Sequence, residues 1–230
     1  VGQSGAGGKG DFPGPLFLAM PPIEMEWSLR EKLLAISGKS DGASYSDLFR
    51  ASRSVNGTDR VDCLFGSVGE RLATTFGTKG SPISLTTACA SGATAIQLAI
   101  ESIRRGESDA ALAVAADGSM YPETMIRFSL LSALSTQNDE PEKASRPFSK
   151  NRDGFVMAEG AAALVIESYE HARARGAKIL GVIAGGGEKS DSFHRTRSNP
   201  DGIAITGAIR NALEDASLAP DAIDYINAHG

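Results

Sequence analysis

Two cysteines and three histidines, Cys63, Cys89, His171, His194 and His229, are the side chains here best suited to nucleophilic or neutral-pH base chemistry. Cys89 stands in the most informative setting, "PISLTTACASGATAIQLAIESIRRGE" at 82–107. A strand-like run, "PISLTTA", ends at the cysteine. Helical spacing at Ile96, Ala99, Ile100 and Ile103 begins within two residues of it, and Gly106 is placed to cap the helix. A thiol at that junction lies at the carboxyl end of a strand, where open parallel sheets gather ligands and chemistry. Unpaired N–H groups and the positive end of the helix dipole favour an anionic, nucleophilic sulfur there. The small neighbours Ala88, Ala90, Ser91 and Gly92 leave the sulfur reachable. The local pattern leaves two readings open, a nucleophile or a small buried apolar residue.

The other candidates are weaker by position. Cys63 falls on an amphipathic helix pattern, "DCLFGSVGERLATTFG", and reads as core. His171 lies in the charged helix "YEHARARG" and reads as a solvated surface residue. His229, in "YINAHG", follows an expected strand, "AIDYINA", and so also sits at a carboxyl end; alone, such a histidine is more often structural than catalytic. No histidines pair at i, i+4 and neither cysteine adjoins a histidine, so no metal site is expected.

The elements that must position these residues alternate. After the helix at 62–77 come a strand at 82–88, a helix at 91–107 and the apolar strand "DAALAVAAD" at 109–117, of the kind buried on both faces. A mixed segment follows, then a strand at 160–168, a helix at 169–176, a strand at 178–186, a helix at 204–218 and a strand at 222–228. This order predicts an α/β fold with a mainly parallel sheet covered on both sides. Residues 1–14 are glycine-rich and read as loop, and the prolines of "PLFLAMPP" at 15–22 argue against a long element. Residues 1–59 therefore read as a lead-in and residues 60–230 as the core.

Composition excludes several functions. A net charge of -5, from 28 acidic and 23 basic residues, gives no general basic field for nucleic acid. The apolar run "AALAVAA" is far short of the roughly 20 residues a membrane helix needs, so no membrane insertion is expected. Two cysteines outside any CxxC pair indicate a reducing cytoplasm rather than a disulfide scaffold. "GAGGKG" at 5–10 fits a dinucleotide fingerprint by letters only, since no strand precedes it.

"TTACASGATAIQLAI", "RFSLLSALSTQND", "SRPFSKNRDGFVMAEGAAALVIE", "KSDSFHRT" and "YINAHG" stand in the order found in beta-ketoacyl-acyl-carrier-protein synthases. From about residue 60 onward the chain most resembles the type II elongating synthases of bacteria. The resemblance implies a thiolase-like αβαβα fold of two similar halves, usually a homodimer. It implies that Cys89 is the nucleophile, its own N–H an oxyanion donor, and His229 the first catalytic histidine. Phe155 would stand beside the reacting carboxylate, Phe128 in the acyl-chain pocket, and Asp191 and His194 along the pantetheine approach. The reaction would join an acyl group to malonyl-acyl carrier protein with loss of carbon dioxide. No cofactor of its own is implied, because phosphopantetheine arrives on the carrier protein.

The chain departs from that pattern by omission. It stops before the second catalytic histidine, the lysine and the glycine-rich C-terminal motifs, and it also lacks the usual opening strand. It reads as an N-terminal-half fragment, expected not to condense substrates alone. Arg50, Arg53 and Arg60 are candidates for carrier docking, scattered solvated arginines being the commoner explanation. A polyketide or nodulation-type ketosynthase remains an alternative. A non-catalytic chain-length partner typically lacks the nucleophile, which is present here, and a thiolase is disfavoured by "AHG" and "RDGFV".

Overall fold

Alternating side chains of two short apolar strands organise the molecule. In the computed structural model, which describes all residues except 9, 24–26, 40, 56–60, 62–63, 195–196 and 230, the chain forms two compact units, Val1–Glu167 and Ser168–Gly230. The expectations for Cys63 and Arg60 lie outside the described residues.

The first unit contains β1 (Leu16–Ala19), α1 (Trp27–Ile36), α2 (Tyr45–Ser52), α3 (Ser67–Phe76), β2 (Ile83–Leu85), α4 (Ser91–Arg104), β3 (Ala110–Asp117), α5 (Pro122–Leu130) and β4 (Gly160–Glu167). Its sheet runs β2-β1-β3-β4, with β1 parallel to both β2 and β3. Phe17, Ala19, Ala111 and Ala113 point to one face and pack with Ala95 and Ala99 of α4. Leu16, Ala110 and Leu112 point to the other and join Phe12, with Leu72, Ala73 and Phe76 of α3 against them. This is the period-2 alternation of a strand covered on both sides. Alanines on α4 let the helix axis approach the sheet closely, and Gly106, at φ 70, follows its end as expected.

Two elements of the first unit differ from expectation. "PLFLAMPP", read as too broken for a long element, supplies the inner strand of the sheet. The prolines hold β1 to four residues, yet all four are buried, because an inner strand needs ladder partners on both sides rather than length. Pro15 still contributes its carbonyl, which accepts from Leu112 N–H at 2.9 Å. The strand at 160–167 is antiparallel to β3, with Gly160 opposite Asp117. The segment 118–159 returns the chain to the end where β3 stopped, so β4 runs back along it.

The second unit holds α6 (Tyr169–Ala174), α7 (Ile203–Ala216) and a 3-10 turn at Pro220–Ala222. The strands expected at 178–186 and 222–228 belong to no ladder among the described residues. Their apolar side chains are exposed, Leu180 at 83% and Tyr225 at 79%. Instead of pairing, the backbone at 185–187 lies against α7. A Cβ on Gly185 would stand 2.6 Å from Ala212 O, and Gly186 N–H donates to Asp215 Oδ2 at 2.8 Å. No described helix is long and apolar enough to cross a membrane.

Candidate functional site

The turn between β2 and α4 is held by side chains of the helix it feeds. Ala88 has φ 53, the left-handed conformation that costs any residue with a Cβ, and Ala90 is the N-cap. Thr87 N–H donates to Ser91 Oγ at 2.8 Å, and Ser91 Oγ donates in turn to Ala88 O at 2.6 Å. Backbone bonds run from Ala90 N to Thr87 O and from Ser91 N to Ala88 O, both 3.2 Å. The hydroxyls of Thr87 and Thr94 meet at 2.9 Å. Cys89 stands on this turn as a free, exposed thiol, so the buried-core alternative does not describe it.

The strands β1, β2 and β3 are parallel, so their carboxyl ends share one end of the sheet. Met20 N–H, leaving β1, donates to Leu85 O at the end of β2 at 3.2 Å. Gly92, in the first turn of α4, lies so close to the end of β3 that an added Cβ would stand 3.4 Å from the Ala115 Cβ. At that same end an open cleft of about 510 Å³ is lined by Met20, Pro21, Asp117, Phe128, Phe155 and neighbouring residues. Phe128 and Phe155, singled out separately from sequence, meet there edge to face, ring centroids 5.2 Å apart at 85°. The structure therefore gathers Cys89, Phe128 and Phe155 at one end of one sheet.

Phe155 is aimed by a clamp that the sequence reading missed. Its N–H donates to Ala133 O and its carbonyl accepts from Ser135 N–H, both at 3.0 Å. Gly154 makes this approach feasible, since a Cβ there would lie 2.3 Å from Leu134 C. The Asp153 carboxylate accepts from Ser135 Oγ at 2.7 Å, Thr136 N–H at 2.9 Å and Thr136 Oγ1 at 3.1 Å. The Ser135 hydroxyl, then the Thr136 N–H, hold its pKa below the usual carboxylate value. The available signal was the polar pair Ser135–Thr136 together with Asp-Gly immediately before Phe155.

The remaining candidates lie in the second unit. Asp191 accepts from Asn199 N–H at 2.8 Å and Phe193 N–H at 3.0 Å, and these two bonds, Asn199 first, lower its pKa. Its carboxylate thus closes its own loop, beside a cleft of about 690 Å³ lined also by Lys189, Phe193 and Arg210. His194 is exposed on that loop and His229 is exposed after the Pro220–Ala222 turn. In the first unit, α2 and its C-cap carry the arginine candidates. Arg53 lies over the Phe49 ring at 5.1 Å, and Phe49 stacks on Tyr45 at 6.3 Å.

An exposed thiol on a strained turn, at the same end of a mainly parallel sheet as an aromatic-walled cleft, defines an α/β protein equipped for thiol chemistry. Residues 33–172 match the beta-ketoacyl synthase N-terminal domain and residues 180–230 the beta-ketoacyl synthase C-terminal domain. The chain belongs to the beta-ketoacyl synthase family. It is 46% identical over 152 residues to 3-oxoacyl-[acyl-carrier-protein] synthase 2 of Coxiella burnetii, covering 66% of this chain and 37% of that protein. It is 43% identical over 158 residues to the chloroplastic 3-oxoacyl-[acyl-carrier-protein] synthase I of Arabidopsis thaliana, covering 69% of this chain and 33% of that one. Among solved structures it resembles that of a type II polyketide synthase acyl-carrier protein in complex with its ketosynthase bound to the hexaketide. The TM-score there is 0.82 at 35% identity, over 96% of this chain and 53% of the other. The chain thus spans well under half the length of these two curated relatives, and its fold is that of the ketosynthases.

Proposed function

We propose that this chain carries the acyl-accepting half of a condensing enzyme of fatty acid biosynthesis. The single observation that carries the reading is the placement of an exposed Cys89 at the same end of the sheet as the Phe128–Phe155 cleft. Attack of the Cys89 sulfur on the carbonyl carbon of a carrier-bound thioester forms a new S–C bond and releases the carrier's phosphopantetheine thiol. No described residue accepts a hydrogen bond from the Cys89 N–H, which leaves that donor for the developing oxyanion. Malonyl-carrier protein then loses carbon dioxide by cleavage of its C–C bond. The resulting enolate attacks the acyl-Cys89 carbonyl, the S–C bond breaks, the thiolate is restored and a 3-oxoacyl-carrier product leaves.

In this reading His229 donates a hydrogen bond to the malonyl thioester oxygen as enolate charge develops. Phe155 presents an apolar wall that disfavours the carboxylate relative to neutral carbon dioxide, and Phe128 lines the acyl chain. Asp191 and His194 border the pantetheine arm, which belongs to the carrier protein, so the enzyme supplies no cofactor of its own. Carrier docking falls to Arg50 and Arg53, and the working form is a homodimer in a reducing cytoplasm. Incubation with acyl-carrier protein followed by peptide mass spectrometry tests the reading: the acyl mass is expected on the Cys89 peptide. A parent protein that acquires no acyl group there sinks it.

A polyketide ketosynthase is a second reading, favoured by the structural match to a ketosynthase that carries a hexaketide. Loading Cys89 with saturated acyl chains in competition with polyketide chains decides between the two.

A further inference from the structure

We propose that Ser91 is a positioning residue that orients the Cys89 N–H by hydrogen-bonding the carbonyl of the Ala88–Cys89 peptide plane; this rests on the reading of Cys89 as the acyl acceptor. The Ala88 carbonyl and the Cys89 N–H belong to one peptide group, and the chain contains no cis peptide bond among the described residues. In a planar trans peptide these two groups point in opposite directions. The Ala88 carbonyl accepts from Ser91 Oγ at 2.6 Å and from Ser91 N–H at 3.2 Å. It is thereby turned into the first turn of α4, so the Cys89 N–H is turned away from it.

That orientation opposes the intrinsic preference of the chain. Ala88 at φ 53 pays the left-handed penalty, and such a conformation persists only when its surroundings over-determine it. Ser91 Oγ supplies the determination by bonding on both sides of Ala88, accepting from Thr87 N–H at 2.8 Å while donating to Ala88 O. Removing the hydroxyl leaves the Ala88–Cys89 peptide freer to rotate toward an unstrained angle, and the N–H rotates with it. The sulfur stays on the same turn, so its bare reactivity is expected to change little.

Two reactions at the same sulfur separate these effects. Acyl transfer passes through a tetrahedral oxyanion that needs the N–H, whereas alkylation by iodoacetamide displaces iodide at carbon and develops no oxyanion. In the 230-residue chain, Ser91→Ala is expected to slow acylation of Cys89 by acyl-carrier protein about 10- to 100-fold, less than the 10²–10³ lost with an oxyanion donor removed outright. Iodoacetamide alkylation is expected to stay within about threefold, because thiol reactivity follows thiolate character and access. Ser91→Thr, which keeps the hydroxyl, should recover most of the acylation rate. In an Ala88→Gly background, where φ 53 carries no Cβ penalty, the loss on Ser91→Ala should shrink. Equal acylation rates for the parent and Ser91→Ala, or equal losses in acylation and alkylation, overturn the proposal. A parent chain that alkylates at Cys89 yet accepts no acyl group there overturns the acceptor reading itself, a result visible before any Ser91 variant is made.

Discussion

Two stretches of nearly the same apolar character meet opposite fates. "AALAVAAD" in β3 is buried at its first four positions between β1 and β4, while "KILGVIAGG" at 178–186 exposes Leu180 at 83% and Val182 at 77%. β3 has ladder partners on both sides and helices on both faces of its sheet; the second stretch has no ladder among the described residues, and its Gly185–Gly186 end lies against α7. An apolar run states that a segment can be buried, and a neighbouring strand decides whether it is. The candidate residues follow the same division: Cys89, Phe128 and Phe155 stand at the end of the laddered sheet, while His194 and His229 stand on segments with no ladder among the described residues.

The largest break in this contrast is chemical. Cys89→Ala should abolish acyl-enzyme formation, because no sulfur remains to form the S–C bond, measured as the acylated peptide by mass spectrometry. Acylation found on Cys63 instead overturns the assignment. Next come two truncations that compare the units by stability. Phe12→Ala removes a ring that is fully buried between sheet and α3 and should cost about 3–5 kcal/mol. Leu180→Ala removes an exposed side chain and should change stability by no more than about 0.5 kcal/mol. Denaturant midpoints read both, and similar losses would mean that the 178–186 segment is buried in solution.

What could be read from the sequence follows the same logic of local against distant partners. β3 and α4 were legible because period 2 and period 3.6 are written within each segment, and Cys89 because the period switches beside it. β1 was obscured by its prolines, since its burial comes from strands distant along the chain, as the pairing of Phe17 with Ile83 and Ala113 shows. The left-handed Ala88 was hidden because an alanine, unlike a glycine, carries no sign of that conformation. Asp153 was hidden because its partners, Ser135 and Thr136, are apart in sequence and joined only by the fold. The expected strands at 178–186 and 222–228 were read from composition that truly is strand-like but finds no ladder among the described residues.

Asp153 and Asp191 are the same device placed in the two units, each a carboxylate that closes a loop by accepting hydrogen bonds. Both have folded-state pKa values below the ordinary 3.8. For a depressed carboxyl the stabilisation is complete above the unfolded value and is lost as pH falls below 3.8 through the lower folded value. Acidification through that window should therefore loosen the 133–136 loop and the bonds of the Phe193 and Asn199 amides to Asp191. Asp153→Asn should weaken the first loop at neutral pH and leave its Thr136 amide without the acid-dependent NMR shift, the Phe193 amide keeping its own. If the Thr136 amide still titrates in that variant, the clamp is not Asp153.

The smallest expected effect concerns α2 and the approach of a carrier. Arg53 is anchored on Phe49, which fixes its guanidinium on the surface instead of leaving it to wander. Arg50, in the last turn of α2, adds a second cation to the same region. Against an acidic carrier, such exposed charges act mainly on association rate, and they are screened beyond about 8–10 Å at physiological salt. Raising ionic strength should slow acyl transfer to Cys89 several-fold at sub-saturating carrier while leaving the saturated rate nearly unchanged. Arg53→Ala should flatten that salt dependence in the same assay. A transfer rate indifferent to salt in the parent protein would leave α2 an ordinary solvated helix and return the docking surface to some other part of the chain.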